Sequence, residues 1–397
     1  MNIFIPLFLT QAHNMLTIIT NGTILTEQGW LHNAAISIKD NKIEHIGPYP
    51  DDIDSHNIVD AAGGYIIPGG IDTHIHGGGG HDFMEGTEEA FRTAIEAHMR
   101  HGTTAIYPTL AASSTKIIEQ AVATTERLMA EADSPVMGLH LEGPYFNPAM
   151  AGGQMPEYIR KPNREEYTHI LEHTSCIKRW DSSPELDGAL ELGEYLRSKD
   201  IVAAIAHTTA NYPIVKAAYE AGYTHATHFY NAMTGVHKNR EFKHEGTIES
   251  IYLMEEMSVE LIADGIHIPP AILQLVYKIK GVERSSLITD AMGCSVSDGG
   301  ETFDKRVIIE DGVCKLSDRS ALAGSIATMD RLIRTMVEQA NIPLADAVRM
   351  ASETPARKMG IYDRKGSLKV GKDADIVILN KDLSIGAVWA MGRRISL

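Results

Sequence analysis

Several short apolar runs in this 397-residue chain end in side chains that can bind a metal or move a proton. They close on His74-x-His76, Glu142, His207, His228, Asp264 and Asp290. Chance would scatter such residues among helices and turns, so their repeated place at run ends points to one site assembled from several strands. Period two puts His74 and His76 on one face of an extended segment, where two imidazoles can converge on a single ion. The plainer alternative is a pair of hydrogen-bonded polar side chains near a turn. Glu142 closes Leu-His-Leu-Glu-Gly-Pro and is costly to bury without a cation beside it. His140 shares its face two residues deeper and reads as a support behind the ligands or as core. Neutral imidazoles such as His207 and His228 suit zinc, iron, nickel and copper, and two histidines with one carboxylate form a known catalytic zinc set. Asp290 closes Ser-Leu-Ile-Thr-Asp, where an aspartate beside an activated water can take its proton and later return it. A helix N-cap or a bridging structural carboxylate is the plainer role for Asp290.

Residues placed in this way need a frame that gathers strand ends. Eight candidate strands stand out: Gly70 to His76, Thr104 to Leu110, Val136 to Glu142, Ile177 to Ser182, Ile201 to His207, His225 to Tyr230, Val259 to Asp264 and Ser286 to Asp290. Between them apolar residues recur at three- and four-residue spacing, as in Glu88 to His101, Ser114 to Ala132, Pro184 to Lys199, Pro213 to Ala221 and Pro269 to Lys280. Pro213 and Pro269 sit where a first helical turn tolerates proline. Buried strands alternating with helices give a doubly wound α/β sheet or a (β/α)8 TIM barrel, and eight units over roughly 300 residues favour the barrel. Both chain ends differ in texture, with short Ile- and Thr-rich strands at Thr17 to Leu25, Ala34 to Lys39, Lys42 to Ile46 and Ala374 to Leu379. The simplest arrangement pairs them as a small β domain, residues 15–66 plus 366–397, around the barrel at 67–365.

Composition narrows the classes further. With 44% apolar and 22% charged residues the chain is globular, with material for a large core. Lysine and arginine number 36 against 52 acidic residues, a net charge of −16 without a basic block, so no nucleic-acid partner is expected. The early apolar run Ile3 to Leu9 is too short to span a bilayer and reads as a truncated export signal or, in preference, an extended translation start upstream of Met15; no membrane association is expected. Three cysteines, Cys176, Cys294 and Cys314, lack metal-type spacing and fit a reducing cytoplasm. Gly77 to Gly80 precedes no Gly-Lys-Ser/Thr and reads as a flexible turn. His237 to His244 is the one locally basic loop, either merely solvated or, following the His228 strand, at the rim of the site.

The pattern resembles the amidohydrolase superfamily and, within it, the N-acetylglucosamine-6-phosphate deacetylase family. Pro68-Gly-Gly-Ile-Asp-Thr-His-Ile-His76 and Lys369-Val-Gly-Lys-Asp-Ala-Asp-Ile-Val377 carry the wider likeness. Leu139 to Pro144, Thr227-His-Phe-Tyr-Asn-Ala-Met233, Ile262-Ala-Asp-Gly-Ile-His267, Leu287 to Asp290 and Leu322-Ala-Gly-Ser325 carry the narrower one, in the family's order. The resemblance implies a TIM barrel with a β-sandwich, a homodimer, and a divalent metal bound by Glu142, His207 and His228, zinc foremost with Fe2+, Co2+ or Mn2+ as alternatives. His74 and His76 leave one or two ions open. It makes Asp290 the acid/base, Asn231, Ala232 and His267 sugar-phosphate contacts, and Leu322, Ala323 and Gly324 a loop lining the sugar.

Two departures stand out. Gln154, next to Gly153, occupies the place of a family histidine that can help polarise the acetyl carbonyl. Arg240 is shifted by one residue from a phosphate-binding arginine that often reaches across from a neighbouring subunit, with His237, Lys238 and Lys243 beside it. The implied reaction is hydrolysis of an acetylated amino-sugar phosphate. N-acetylgalactosamine 6-phosphate is the rival substrate, and a non-catalytic scaffold, which should have lost its ligands, is the rival class.

Overall fold

The computed structural model describes residues 16–48, 57–297 and 303–397, so the stretch ahead of Met15 lies outside the described residues. Eight strands form one sheet: Gly70–Ile75, Thr103–Leu110, Leu139–Glu142, Ile177–Ser182, Val202–Ile205, Tyr223–Ala226, Ser258–Leu261 and Ser285–Leu287. Each overlaps a run expected from the sequence, and every neighbouring pair is parallel. The seam between the last strand and the first is joined by the Asp290 amide donating to His74 O at 2.9 Å. Beside it the Thr289 hydroxyl donates to Asp72 Oδ2 at 2.6 Å. The fold is a (β/α)8 barrel. Its first two strands are buried at every position, as strands covered by helices outside and by facing strands inside must be.

Local sequence sets the helix ends. Thr87 and Ser114 cap Glu88–Met99 and Thr115–Met129 by accepting backbone N–H bonds from Ala90 and Ile117. Tyr212–Ala221 carries Pro213 in its first turn and stops at Gly222, whose φ of 118° suits a residue without Cβ. The helix expected from Pro184 begins only at Ala189, because residues 184–188 form turns that end with Gly188 in the left-handed region. The third strand is shorter than expected, Val136 contributing a single bridge to Ile106. Helices Arg164–Glu172 and Thr247–Leu253 were not anticipated.

Both chain ends meet in a second sheet. Ile376–Leu379 pairs antiparallel with Tyr65–Pro68, joining the C-terminal strands to Thr17–Thr26, Gly29–Lys39 and Lys42–Gly47. Ile19, Ile36, Ile38, Ile66, Ile376 and Trp389 pack as its own core. We propose the domain division at 15–66 plus 366–397 and 67–365 on this pairing. Cys176, Cys294 and Cys314 are buried free thiols. Among the described residues, no helix is long and apolar enough to cross a membrane.

Candidate active site

The barrel brings His74, His76, Glu142, His207, His228 and Asp290 to one mouth. Glu142 ends its strand, while His207, His228 and Asp290 lie just past theirs with φ of 45°, 28° and 49°. Non-glycine residues rarely hold this left-handed backbone, at a cost of order 1–3 kcal/mol each, and it clusters at functional sites.

Glu142 lies between two histidine pairs. Its Oε1 is 3.0 Å from His207 Nε2 and 3.1 Å from His228 Nε2. Its Oε2 is 3.3 Å from His76 Nε2 and 3.7 Å from His74 Nε2. Asp290 Oδ1 faces the second pair, 3.1 Å from His76 and 3.5 Å from His74. The rings are held from behind: His207 Nδ1 donates to Met150 O at 2.7 Å and His228 Nδ1 to Asn231 O at 3.1 Å. A carbonyl can only accept, so both Nε2 lone pairs face Glu142. His74 Nε2 is buried and receives no hydrogen bond. Inward lone pairs around a shared carboxylate fit a divalent cation, and the atoms of Glu142, His207 and His228, like those of His74, His76 and Glu142, lie within 4.8 Å of one another.

Electrostatics agree with that fit. Burial alone would raise the Glu142 carboxyl, but the imidazoles of His74, His207 and His228 hold it well below the ordinary range. Burial likewise opposes ionisation of Asp290, and the charges of His74 and His76 overcome it. His76 is pushed up to about 10 against burial by Asp290 and Glu142. Two carboxylates therefore draw positive charge into the cluster, which a cation can supply in place of protons.

A cavity of about 370 Å³ opens over these atoms, lined also by Gly153, Gln154, Asn231, Ala232, His267, Leu322, Ala323 and Gly324. Gly153 permits a close approach, since a Cβ there would sit 3.0 Å from the Cβ of Ala323. Gln154 is already engaged: its Oε1 accepts the Ala112 N–H and its Nε2 donates to Glu142 Oε2, both at 2.7 Å. It thus steadies the shared carboxylate. Asp264, a ligand candidate in the sequence, instead orients His267 by a 2.8 Å contact to Nδ1, and His267 Nε2 is buried without a partner. Arg240 is the residue the barrel does not gather. It sits exposed in the hairpin formed by His237–Asn239 and Phe242–His244, away from the cavity of its own chain.

Sequence reasoning missed Arg306, which donates to Gly153 O at 3.1 Å and pairs with Asp304 at the cavity edge. The signal was Asp311-Gly312 between two apolar runs, a hairpin turn that presents Val307–Glu310 and Val313–Leu316. It also missed Arg179, Asp181 and Glu260, all buried inside the barrel. The signal there was Arg179 and Asp181 at alternate positions of one strand and Glu260 between Val259 and Leu261 in another, a period-two placement on one face.

Residues 65–395 match the Amidohydrolase family, and the chain belongs to it. It is an enzyme of amide carbon–nitrogen bond hydrolysis in a metal-dependent family. The N-acetylglucosamine-6-phosphate deacetylase of Bacillus subtilis (strain 168) is 34% identical over 370 residues, covering 91% of this chain and 92% of that protein. The N-acetylgalactosamine-6-phosphate deacetylase of Escherichia coli O157:H7 is 32% identical, covering 93% of this chain and 97% of that protein. A mutant N-acetyl-D-glucosamine-6-phosphate deacetylase from Mycobacterium smegmatis, solved in complex with N-acetyl-D-glucosamine-6-phosphate, superposes with a TM-score of 0.87 at 29% identity over 96% of this chain and 99% of that one.

Proposed function

We propose that the enzyme removes the acetyl group of N-acetylglucosamine 6-phosphate, releasing glucosamine 6-phosphate and acetate in amino-sugar catabolism. The observation that carries the reading is the double use of Glu142, one oxygen to each histidine pair, with Asp290 Oδ1 3.1 Å from His76. A non-catalytic scaffold would have no need to keep that convergence. The relative acting on the same sugar phosphate supports the substrate.

The ions we propose are zinc, with Fe2+, Co2+ or Mn2+ as alternatives. One would be held by Glu142, His207 and His228 and a second by His74, His76 and Glu142. Such ions lower the pKa of a coordinated water toward ~7 and polarise a carbonyl. Asp290 takes the proton of the attacking water and hands it to the amine nitrogen as the C–N bond breaks, because an unprotonated amide anion is a poor leaving group. Gln154 keeps Glu142 in place. His267, its ring fixed by Asp264, offers Nε2 to the phosphate, while Asn231, Ala232 and the 322–324 loop border the sugar.

We further propose a cytoplasmic homodimer whose basic 237–244 hairpin brings Arg240 to the neighbouring site. Val236 and Phe242, 58% and 62% exposed, supply the apolar contact, and light scattering reads the mass. The 32% identical relative favours N-acetylgalactosamine 6-phosphate as the competing substrate. Steady-state kcat/KM for both sugar phosphates and for unphosphorylated N-acetylglucosamine tests the reading. N-acetylglucosamine 6-phosphate should be preferred; equal activity on the unphosphorylated sugar would reject the phosphate assignment.

A further inference from the structure

A barrel interior is ordinarily filled by apolar side chains. Here strands Ile177–Ser182 and Ser258–Leu261 place Arg179, Asp181 and Glu260 inside it, at 1%, 0% and 0% exposure. Buried ions are costly to desolvate and contribute little net stability, so their presence calls for another role. With Arg179 cationic and both acids ionised, the group carries one net negative charge.

Glu260 is held on several sides. Its Oε1 accepts from Arg179 Nη2 at 2.8 Å and from the His228 backbone N–H at 3.2 Å, and its Oε2 accepts from Arg179 Nη1. Arg179 is locked in turn, with Nε and Nη2 on the two oxygens of Asp181 at 2.9 Å each and Nη2 also 2.9 Å from Thr227 Oγ1. Thr227 donates to Asp181 Oδ2 at 2.7 Å, and His140 Nε2 stands 2.9 Å from that oxygen. The Oε1 of this fixed carboxylate lies 2.8 Å from His74 Nδ1. A carboxylate only accepts, so Nδ1 carries the hydrogen and the Nε2 lone pair faces Glu142 and Asp290. The same oxygen holds the backbone of His228 in its left-handed turn. One buried carboxylate therefore orients a histidine from each pair around Glu142.

We propose that Glu260, clamped by Arg179, is a positioning residue that fixes the Nδ1–H tautomer of His74 and thereby sets how tightly the His74–His76 ion is held. The proposal rests on the metal reading above. Carboxylates placed behind a ligating imidazole raise its basicity, and removing one costs about 10–100-fold in metal affinity.

The experiment titrates zinc-loaded wild type, Glu260→Gln, His74→Gln and the double variant with a competing chelator, reading released zinc. Glu260→Gln should lower the affinity of one of the two ions by about 10–100-fold. In the His74→Gln background the same substitution should change it by less than about threefold, because the ring it orients is gone and a glutamine oxygen can still accept the His228 N–H. An equal loss in both backgrounds would mark a general effect on the barrel and overturn the proposal, as would zinc held normally by Glu260→Gln. Wild type that binds no zinc rejects the metal reading and this proposal with it. Should Glu260→Gln not fold, histidine 15N shifts of zinc-loaded wild type decide: a proton on His74 Nδ1 is expected, and one on Nε2 overturns the assignment.

Discussion

Asp290→Asn isolates proton transfer from everything else that residue does. Its backbone N–H donates to His74 O at 2.9 Å and its carbonyl accepts from Ser325 N at 2.7 Å, so it joins the first barrel strand to the loop after the last. Its φ is 49°, a conformation asparagine tolerates better than alanine, which makes Asn the substitution that spares the fold. The side-chain oxygen that remains can still face His76 Nε2, now 3.1 Å away, so metal content should change little. What disappears is a group able to accept and return a proton. Loss of a general acid–base lowers turnover by about 10²–10⁴-fold, equivalent to about 2.7–5.4 kcal/mol of barrier. The assay is acetate release at saturating N-acetylglucosamine 6-phosphate, with metal measured on the same preparation. A fall in kcat with KM and metal nearly unchanged is expected. Near-normal kcat would make Asp290 structural and refute the reasoning.

Three other outcomes follow from the geometry. Glu142→Ala, His207→Ala and His228→Ala should each lower bound metal and abolish turnover while circular dichroism stays that of a folded barrel; full metal occupancy in all three would refute the ligand set. His267→Ala should cut kcat/KM for the phosphorylated sugar by about one to two powers of ten and do much less to N-acetylglucosamine, since a charge-assisted hydrogen bond contributes roughly 1.5–3 kcal/mol; an unchanged ratio of the two values would reject the contact. Burial pushes Lys358, whose ammonium donates to Thr224 O and Oγ1, down to about 7. The unfolded chain keeps that proton up to ~10.4, so the cost is fully present below about pH 7 and fades as pH rises; urea denaturation at pH 7 and pH 9 should show stability rising more steeply in wild type than in Lys358→Met, and equal slopes would contradict this.

Much of the barrel was legible because several strands are short apolar runs closed by a histidine or an acid, as in Ile201 to His207. The joining of the two chain ends was legible too, since Ala374 to Leu379 shares the β texture of the first strands. Length was harder to read: nothing in Pro184 to Lys199 marks where turns yield to helix except Gly188, whose left-handed backbone is a tertiary outcome. In the site, Gln154 was located but its bonds were not, because the Ala112 N–H that fixes its amide comes from a different barrel loop. Glu260 and Arg179 were passed over because a charge inside a strand looks like an exposed position until the barrel closes around it. Arg240 shows the limit of position along the chain, since following the His228 strand did not bring it to the cavity of its own chain.

Metal-dependent deacetylation of a sugar phosphate by the residues at the barrel mouth is decided by following acetate and glucosamine 6-phosphate release from N-acetylglucosamine 6-phosphate by the purified protein, then after exhaustive chelation, then after zinc is restored. Equal amounts of the two products, lost on chelation and recovered with zinc, are the predicted result. Hydrolysis that persists without metal would rule out the metal's role, and no acetate release from the metal-loaded protein would rule out the deacetylase.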